Sequence, residues 1–270
     1  MARVLILSSF VAAGHVGLCA AVPALQALGH SVTQLPTVLL PAHPGLARPA
    51  GRPVPVARLA AIRDALDAAG LLAGHDAVLT GYLPTRGHVA FAAALVRRMR
   101  RAAPGACVVV DPVLGDAPKG LYLPEAVGRA MRAALLPLAD TTTPNAFELG
   151  WLSERPVADE TQARAAARAL GLPRVCVTSA PPPGGGIGVL EVGAGHARRF
   201  TVPRRAGVPH GTGDVFAALL AAGLETGAAL GRLQALIEAS LGADHLAIAE
   251  AARDWVDAPP ILGETLSGEG

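Results

Sequence analysis

The sequence predicts an α/β fold with three layers: helices on both faces of a central, mostly parallel sheet, plus a small antiparallel hairpin extension. Two observations carry this. Strand-length apolar runs alternate with stretches of helical spacing along most of the 270 residues, and such alternation builds a parallel sheet covered on both sides. Late in the chain, two apolar runs are instead joined by the short turn Gly193–Gly195, the mark of a hairpin. No repeat and no long linker divides the chain. Residues 1–258 therefore read as one domain, and residues 259–270, rich in Gly, Ser and Glu, as a flexible tail.

The elements follow in order. Arg3–Ser9 is a short apolar strand. His15–Leu28 has helical spacing and stops before Gly29. Ser31–Leu40, rich in Val, Thr and Leu, is extended, and Pro41–Pro55 is loop because Pro and Gly dominate it. Val56–Ala69 is helical, with Gly70 past its end. Asp76–Tyr82 is a strand, Arg86–Ala103 an amphipathic helix, and Cys107–Asp111 a buried strand. Pro124–Leu136 is a helix with Pro in its first turn, and Asp140–Thr143 a short strand. A helix over about Thr161–Leu170 leads to a strand at Arg174–Ser179. The Pro/Gly run Pro181–Gly186 precedes a strand rather than a helix, so it is a flexible lead into the hairpin, not a phosphate loop. The hairpin pairs Ile187–Val192 with Ala197–Val202. Two Ala-rich helices, starting near Gly213 and Gly231, close the fold.

Composition narrows the function. The chain is 51% hydrophobic and 16% charged, as in a globular protein. A net charge of +2 gives no reason to expect nucleic acid or a membrane surface as partner. The basic residues are almost all Arg, and Lys119 is the only Lys. Cys19, Cys107 and Cys176 are an odd, widely spaced set in apolar contexts, which suits reduced thiols and a cytoplasmic location. No signal peptide is expected, and no apolar run reaches the roughly 18 residues of a membrane span.

In an open parallel sheet, ligands bind beyond the carboxyl ends of the strands. Those ends carry Ser8 and Ser9, Gly81 and Tyr82, Asp111 with Asp116 after it, Thr143 with Asn145 and Glu148 after it, and Thr178 with Ser179. Each taken alone suits a helix cap. Together, Asp111, Asp116 and Glu148 at one edge would repel one another unless a cation sat among them, and hard oxygen ligands suit Mg²⁺ arriving with a nucleotide. Gly211-Thr212-Gly213-Asp214 precedes an apolar helical run, where glycines admit close approach and a helix start favours an anion. Asp214 there is either a cap or a general base. His43 and His210 lie in segments facing the site, where packing or capping is the simpler role. There is no G-x-x-x-x-G-K-[ST], no G-x-S-x-G, no G-x-G-x-x-G in the first strand–helix turn and no CxxC or HExxH.

Seven ordered motifs resemble the pyridoxal kinases of the ribokinase superfamily over nearly the whole chain. They are Ser9–Gly17, Leu35–Val38 with Ala42-His43, Thr80–Tyr82, Asp111–Asp116 with Leu121–Pro124, Thr143–Glu148 with its N-x-x-E, Thr178-Ser179, and His210–Asp214. The resemblance implies a ribokinase-like fold and ATP-dependent phosphorylation of the hydroxymethyl group of pyridoxal, with pyridoxine and pyridoxamine as further acceptors. It implies Asp214 as base and the Gly211, Thr212 and Gly213 backbone as anion hole. Ser9, Thr37, His43, Tyr82 and Asp214 would surround the acceptor. Asp111, Asp116, Lys119, Tyr122, Asn145, Glu148, Thr178, Ser179 and the Gly211–Gly213 segment would bind ATP, with 116–123 as a flap. Asp111, Asp116, Asn145 and Glu148 would organise Mg²⁺, partly through water, and Asp111, Thr143, Glu148 and Thr178 a monovalent cation, K⁺ or Na⁺. The family also implies a homodimer.

Two departures border the acceptor pocket: Pro44 where a polar residue is common, and His15 where Tyr is common. The nearest alternative is a hydroxymethylpyrimidine kinase of the same superfamily, which often has Cys where this chain has Asp214. A catalytically weak vitamin-binding dimer is a different class that the intact acidic set argues against. A sugar or nucleoside kinase would need a β-lid for which the early spacing leaves little room.

Overall fold

Alternating residues of the first strand, β1 (Arg3–Val11), face two different cores. Leu5 and Leu7 belong to one apolar cluster, and Val4 and Ile6 to another on the opposite face. The computed structural model describes residues 1–43, 51–180 and 186–266. The predicted loop residues Pro181 to Gly185 and the position of Pro44 lie outside that range.

After β1 come α1 (Leu18–Ala27), β2 (Ser31–Leu40), β3 (Arg52–Pro53) and α2 (Val56–Ala68). Next are β4 (Ala77–Thr80), α3 (Arg86–Ala102) and β5 (Cys107–Val110), then the two-stranded flap β6 (Gly115–Asp116) and β7 (Gly120–Leu121). α4 (Glu125–Ala130), β8 (Thr141–Thr142), α5 (Ala146–Ser153), α6 (Glu160–Ala169) and β9 (Arg174–Ala180) follow. The chain then runs through β10 (Ile187–Gly193), β11 (His196–Val202), α7 (Thr212–Ala221), α8 (Thr226–Ser240), α9 (Ala252–Trp255) and β12 (Glu264–Thr265).

Ten strands of the described residues form one sheet in the order β12-β11-β10-β9-β8-β5-β4-β1-β2-β3. The run from β9 to β2 is parallel. β10, β11, β12 and β3 add antiparallel edges. Helices α2, α3 and α4 cover one face through Leu59, Phe91, Val96 and Val127. On the other face α1 and α7 pack Leu18, Leu25, Ala217 and Ala221 against Ile6, Leu79 and Val109. The three-layer arrangement expected from the alternation is present, and the hairpin extension is larger than expected.

Several elements differ from the sequence reading. α1 starts at Leu18, not His15, because Gly17 has φ +57° and ψ −130°, a backbone conformation no helix contains. Within the predicted loop Pro41–Pro55, Arg52–Pro53 pairs with Val38–Leu39 as an edge strand. The helix predicted to reach Leu136 loosens into a π-type turn at Met131–Leu135 and ends in a tight turn containing Pro137, which has no N–H to give. α5 was not expected at all.

The tail expected to fray from Pro259 is instead held through Leu266. The Ile261 N–H donates to the Gly227 carbonyl at 2.9 Å, and Glu264–Thr265 extends the sheet beyond β11. Pro259 lies so close over Gly231 that a Cβ there would strike its carbonyl. That contact explains why glycines sit inside α8, which begins at Thr226 rather than near Gly231. Among the described residues no helix is long and apolar enough to cross a membrane.

Candidate active site

β2 follows β1 to one side and β4 lies on the other, so the strand order reverses at β1. A crevice opens at such a point. A small pocket lies there, lined by Ile6 and Ser8 of β1, Leu79 of β4 and Gly81 just past it, Gly17 and Ala21, Asp111, and Asp214 with Ala217 of α7. Tyr82, just past β4, is fixed at both ends of its peptide. Its N–H donates to Ser8 Oγ at 3.2 Å, and its carbonyl accepts from Thr37 Oγ1 at 2.7 Å. Thr37 is fully buried, so it holds Tyr82 rather than presenting its hydroxyl to the pocket. Ser9 is buried beside Gly17.

The Gly-Thr-Gly-Asp segment forms the start of α7 as predicted. Gly211 is its N-cap, with φ +103° and ψ −1°. A Cβ there would run into the His15 carbonyl, so only glycine fits. No side chain of the N-cap covers the first N–H groups, which leaves them available to an anion. Gly213 has open space around it. The Asp214 carboxylate accepts the Gly17 N–H. Burial pushes its pKa up to about 6, with the Gly17 hydrogen bond opposing.

The acidic residues gather beside it. Burial raises the Asp111 pKa well above the usual carboxylate range, and the charges of Glu148 and Asp214 raise it further. Thr143 Oγ1 donates to Asp111 Oδ1 at 2.9 Å. Glu148 is buried, and its pKa is pushed up to about 7, mainly by that burial. Its Oε1 accepts the N–H groups of Leu114 at 2.9 Å and Gly115 at 3.3 Å, and its Oε2 that of Asn145 at 2.9 Å. Asn145 Oδ1 returns a bond from the Glu148 N–H, completing a capping box at α5. Asn145 Nδ2 also donates to the Gly115 carbonyl at 2.8 Å. Asn145 and Glu148 thus lock the root of the flap onto the start of α5. The signal was present as N-x-x-E, whose spacing is that of a capping box.

Asp116 on the flap meets the Tyr122 hydroxyl, and Lys119 Nζ lies 3.8 Å from its Oδ2. Asp116 Oδ1 is buried with no hydrogen-bond partner among the described residues. Thr178 joins the site through its N–H, which donates to the Pro144 carbonyl at 2.8 Å. Ser179 sits opposite a register shift in β10 and has φ +54°. It is thus a bulged residue turned out of the sheet at the strand end. His43 stacks on His210 with ring centroids 3.9 Å apart. Burial, His210 and Lys119 lower the His43 pKa, and Asp116 opposes them.

No three His, Cys, Asp or Glu side chains among the described residues stand close enough to hold a metal by themselves. The predicted metal residues Asp111, Asp116, Thr143 and Glu148 therefore form no closed cage, and Glu148 spends both oxygens on backbone N–H groups. The buried, unpartnered Asp116 Oδ1 and the crowded Asp111 carboxylate still fit a cation that brings its own phosphate and water ligands. The sequence reading named Ser8 at the first strand end and gave His210 a packing or capping role, in keeping with its stacking on His43. It did not foresee that Ser8 holds the Tyr82 N–H or that Gly17 contacts Asp214, because backbone contacts of this kind are announced by no residue type.

The chain is similar to known proteins over most of its length. Residues 53–241 match the family model described as phosphomethylpyrimidine kinase. The chain is similar to a pyridoxine/pyridoxal/pyridoxamine kinase of Bordetella avium, 40% identical over 83% of this chain and 78% of the relative. It is also similar to the pyridoxal kinase of Sus scrofa, 33% identical over 82% of this chain and 74% of the relative. Its fold superposes on the pyridoxal kinase of Leishmania donovani in complex with ADP and pyridoxamine. The TM-score is 0.89 and the identity 34%, with 98% of this chain and 99% of that one covered.

Proposed function

The chain belongs to the pyridoxal kinase family of the ribokinase-like superfamily, and from that premise we propose how its own residues phosphorylate a B6 vitamer with ATP. The reaction moves the γ-phosphoryl group onto the hydroxymethyl oxygen of pyridoxal, pyridoxine or pyridoxamine. The observation that carries the reading is the placement of Asp214. It lines the pocket at the strand-order reversal, two residues beyond Thr212 at the start of an uncapped helix.

Phosphoryl transfer needs alignment and charge neutralisation more than covalent chemistry. Asp214 accepts the proton of the acceptor hydroxyl, and the N–H groups of Gly211–Gly213 hold the phosphoryl oxygens as charge develops. Ser9 and Tyr82 orient the acceptor ring. Asp116, Lys119 and Tyr122 close over the phosphates from the flap, with Thr178 and Ser179 at the next strand end. Mg²⁺ with ATP would sit among Asp111, Asp116 and water, with Glu148 acting from behind, and would supply charge neutralisation. Thr143, bonded to Asp111, and Thr178 at a neighbouring strand end suit a monovalent cation. The three thiols support a reducing, cytoplasmic setting, and the family a homodimer.

An ATP-consumption assay against pyridoxal, pyridoxine, pyridoxamine and hydroxymethylpyrimidine tests the reading. B6 vitamers should turn over fastest. A preference for the pyrimidine would move the acceptor to the second superfamily substrate, in keeping with the description of the matching family model.

A further inference from the structure

We propose that His15 is a positioning residue for the phosphoryl-transfer step, holding the loop between β1 and α1 against the start of α7. Residues 12–17 of that loop touch both parts of the proposed machinery through backbone atoms. The His15 carbonyl packs so close to Gly211 that a Cβ on Gly211 would strike it. Two residues on, the Gly17 N–H donates to the Asp214 carboxylate. Gly14 and Gly17 have φ of +90° and +57°, conformations that glycine adopts freely and also leaves freely. The loop therefore depends on its anchors. At its start the Ala12 and Ala13 N–H groups donate to the Leu40 and Pro41 carbonyls, at the end of β2 and just past it. On the α7 side the tie is the His15 side chain.

His15 Nδ1 donates to the Leu246 carbonyl, and its ring meets His245 edge-on, with centroids 4.6 Å apart and planes inclined by 77°. Glu250 lies near enough to both imidazoles to act on them electrostatically, and its Oε1 is 3.7 Å from His245 Nε2. The segment that receives His15 is anchored in turn. Leu246 and Ile248 are fully buried in the cluster that contains Val215, Phe216 and Leu219 of α7. The Ile248 carbonyl accepts from Trp255 Nε1 at 2.9 Å. His15 thereby joins the loop to the body of the helix whose N-cap it touches, and one frame sets both the Gly17–Asp214 and the His15–Gly211 contacts.

The effect should fall on kcat. The N–H groups at the start of α7 and the Asp214 carboxylate act on charge that develops as the phosphoryl group moves. A misplacement of about 1 Å, caused by a change away from the chemistry, can cost on the order of 10²-fold in rate. The inference rests on the proposed roles of Asp214 and the Gly211–Gly213 N–H groups.

The test compares wild type with His15→Ala, His15→Asn and His15→Phe by steady-state kinetics with pyridoxal and ATP and by thermal unfolding. Asparagine places an amide N–H near the position of Nδ1, whereas phenylalanine keeps a ring to meet His245 and cannot donate. His15→Ala and His15→Phe should each lower kcat by about ten- to a hundredfold. Both KM values should stay within about threefold of wild type, the loss falling on the transition state. Melting temperatures should stay within about 5 °C, the scale of one lost hydrogen bond. His15→Asn should recover kcat to within about threefold of wild type. Wild-type kcat in His15→Ala, an asparagine variant no better than phenylalanine, or a change confined to either KM would each overturn the proposal. Wild type inactive on every B6 vitamer would instead overturn the functional reading itself, which separates the two failures.

Discussion

The backbone N–H of Gly17 donates to the carboxylate of Asp214, so the loop after the first strand aims the group at the start of α7. Gly17 can do this only as glycine. Its φ is +57°, and a Cβ would collide with the Ser9 carbonyl and hydroxyl. Gly17→Ala should lower kcat/KM by at least about tenfold and the melting temperature by several degrees, since strain of this kind costs about 1–3 kcal/mol. Kinetics and thermal unfolding of the one variant check both. Wild-type values for the two would mean the contact is incidental.

Gly211→Ala should strike the anion hole directly. The residue has φ +103°, and the added carbon would meet the His15 carbonyl. Displaced N–H groups at a developing oxyanion typically cost about 10²–10³ in kcat. ATP binding, followed by calorimetry, should weaken far less than turnover.

Glu148→Gln tests the flap anchor. The amide has one acceptor oxygen where the carboxylate uses two, so at least one backbone N–H is left unsatisfied, a loss of about 1–3 kcal/mol. The KM for ATP should rise more than that for pyridoxal, and a magnesium titration should show a higher requirement. Equal magnesium dependence in mutant and wild type would remove Glu148 from the nucleotide side of the site.

Much of this was legible in the sequence, and the reasons for the misses are physical. β2 was found by its Val, Thr and Leu content and α2 by its helical spacing with Gly70 past its end. The strand-end polar residues Tyr82, Asp111, Thr143 and Thr178 do gather along one edge, because a parallel sheet aligns its carboxyl ends. α5 was missed because its residues are apolar nearly all round and its first turn doubles as a site motif. β3 hides in a Pro-rich stretch, where Arg52 and Pro53 need only an edge to pair with. The ordered tail depends on α8 glycines about thirty residues earlier, a long-range contact with no local signature. The His43–His210 stack is likewise tertiary.

Burial sets the pH dependence. Asp214 must be ionised to take a proton, and its pKa is pushed up to about 6. kcat/KM should therefore be flat above about pH 7 and fall about tenfold per pH unit well below pH 6. The stability effect has the opposite sense. A carboxyl whose folded pKa lies above its ordinary 3.8 favours the folded state at low pH, and that advantage is lost as pH rises through about 6. Asp214→Asn should thus gain stability over wild type between about pH 4 and pH 7, by up to roughly 3 kcal/mol. Denaturant titrations at the two pH values measure it, and a constant difference would mean Asp214 is not perturbed.

The most direct test of the account is the kcat of Asp214→Asn at pH 7.5 with saturating ATP and pyridoxal. The substitution keeps the size of the side chain and an acceptor for the Gly17 N–H, so folding and both KM values should be largely preserved, the loss falling on the transition state. A general base contributes about 10²–10⁴-fold to rate, and kcat should fall by that factor. A kcat within a few-fold of wild type would show that the proton leaves by another route, and the mechanism would fall with it.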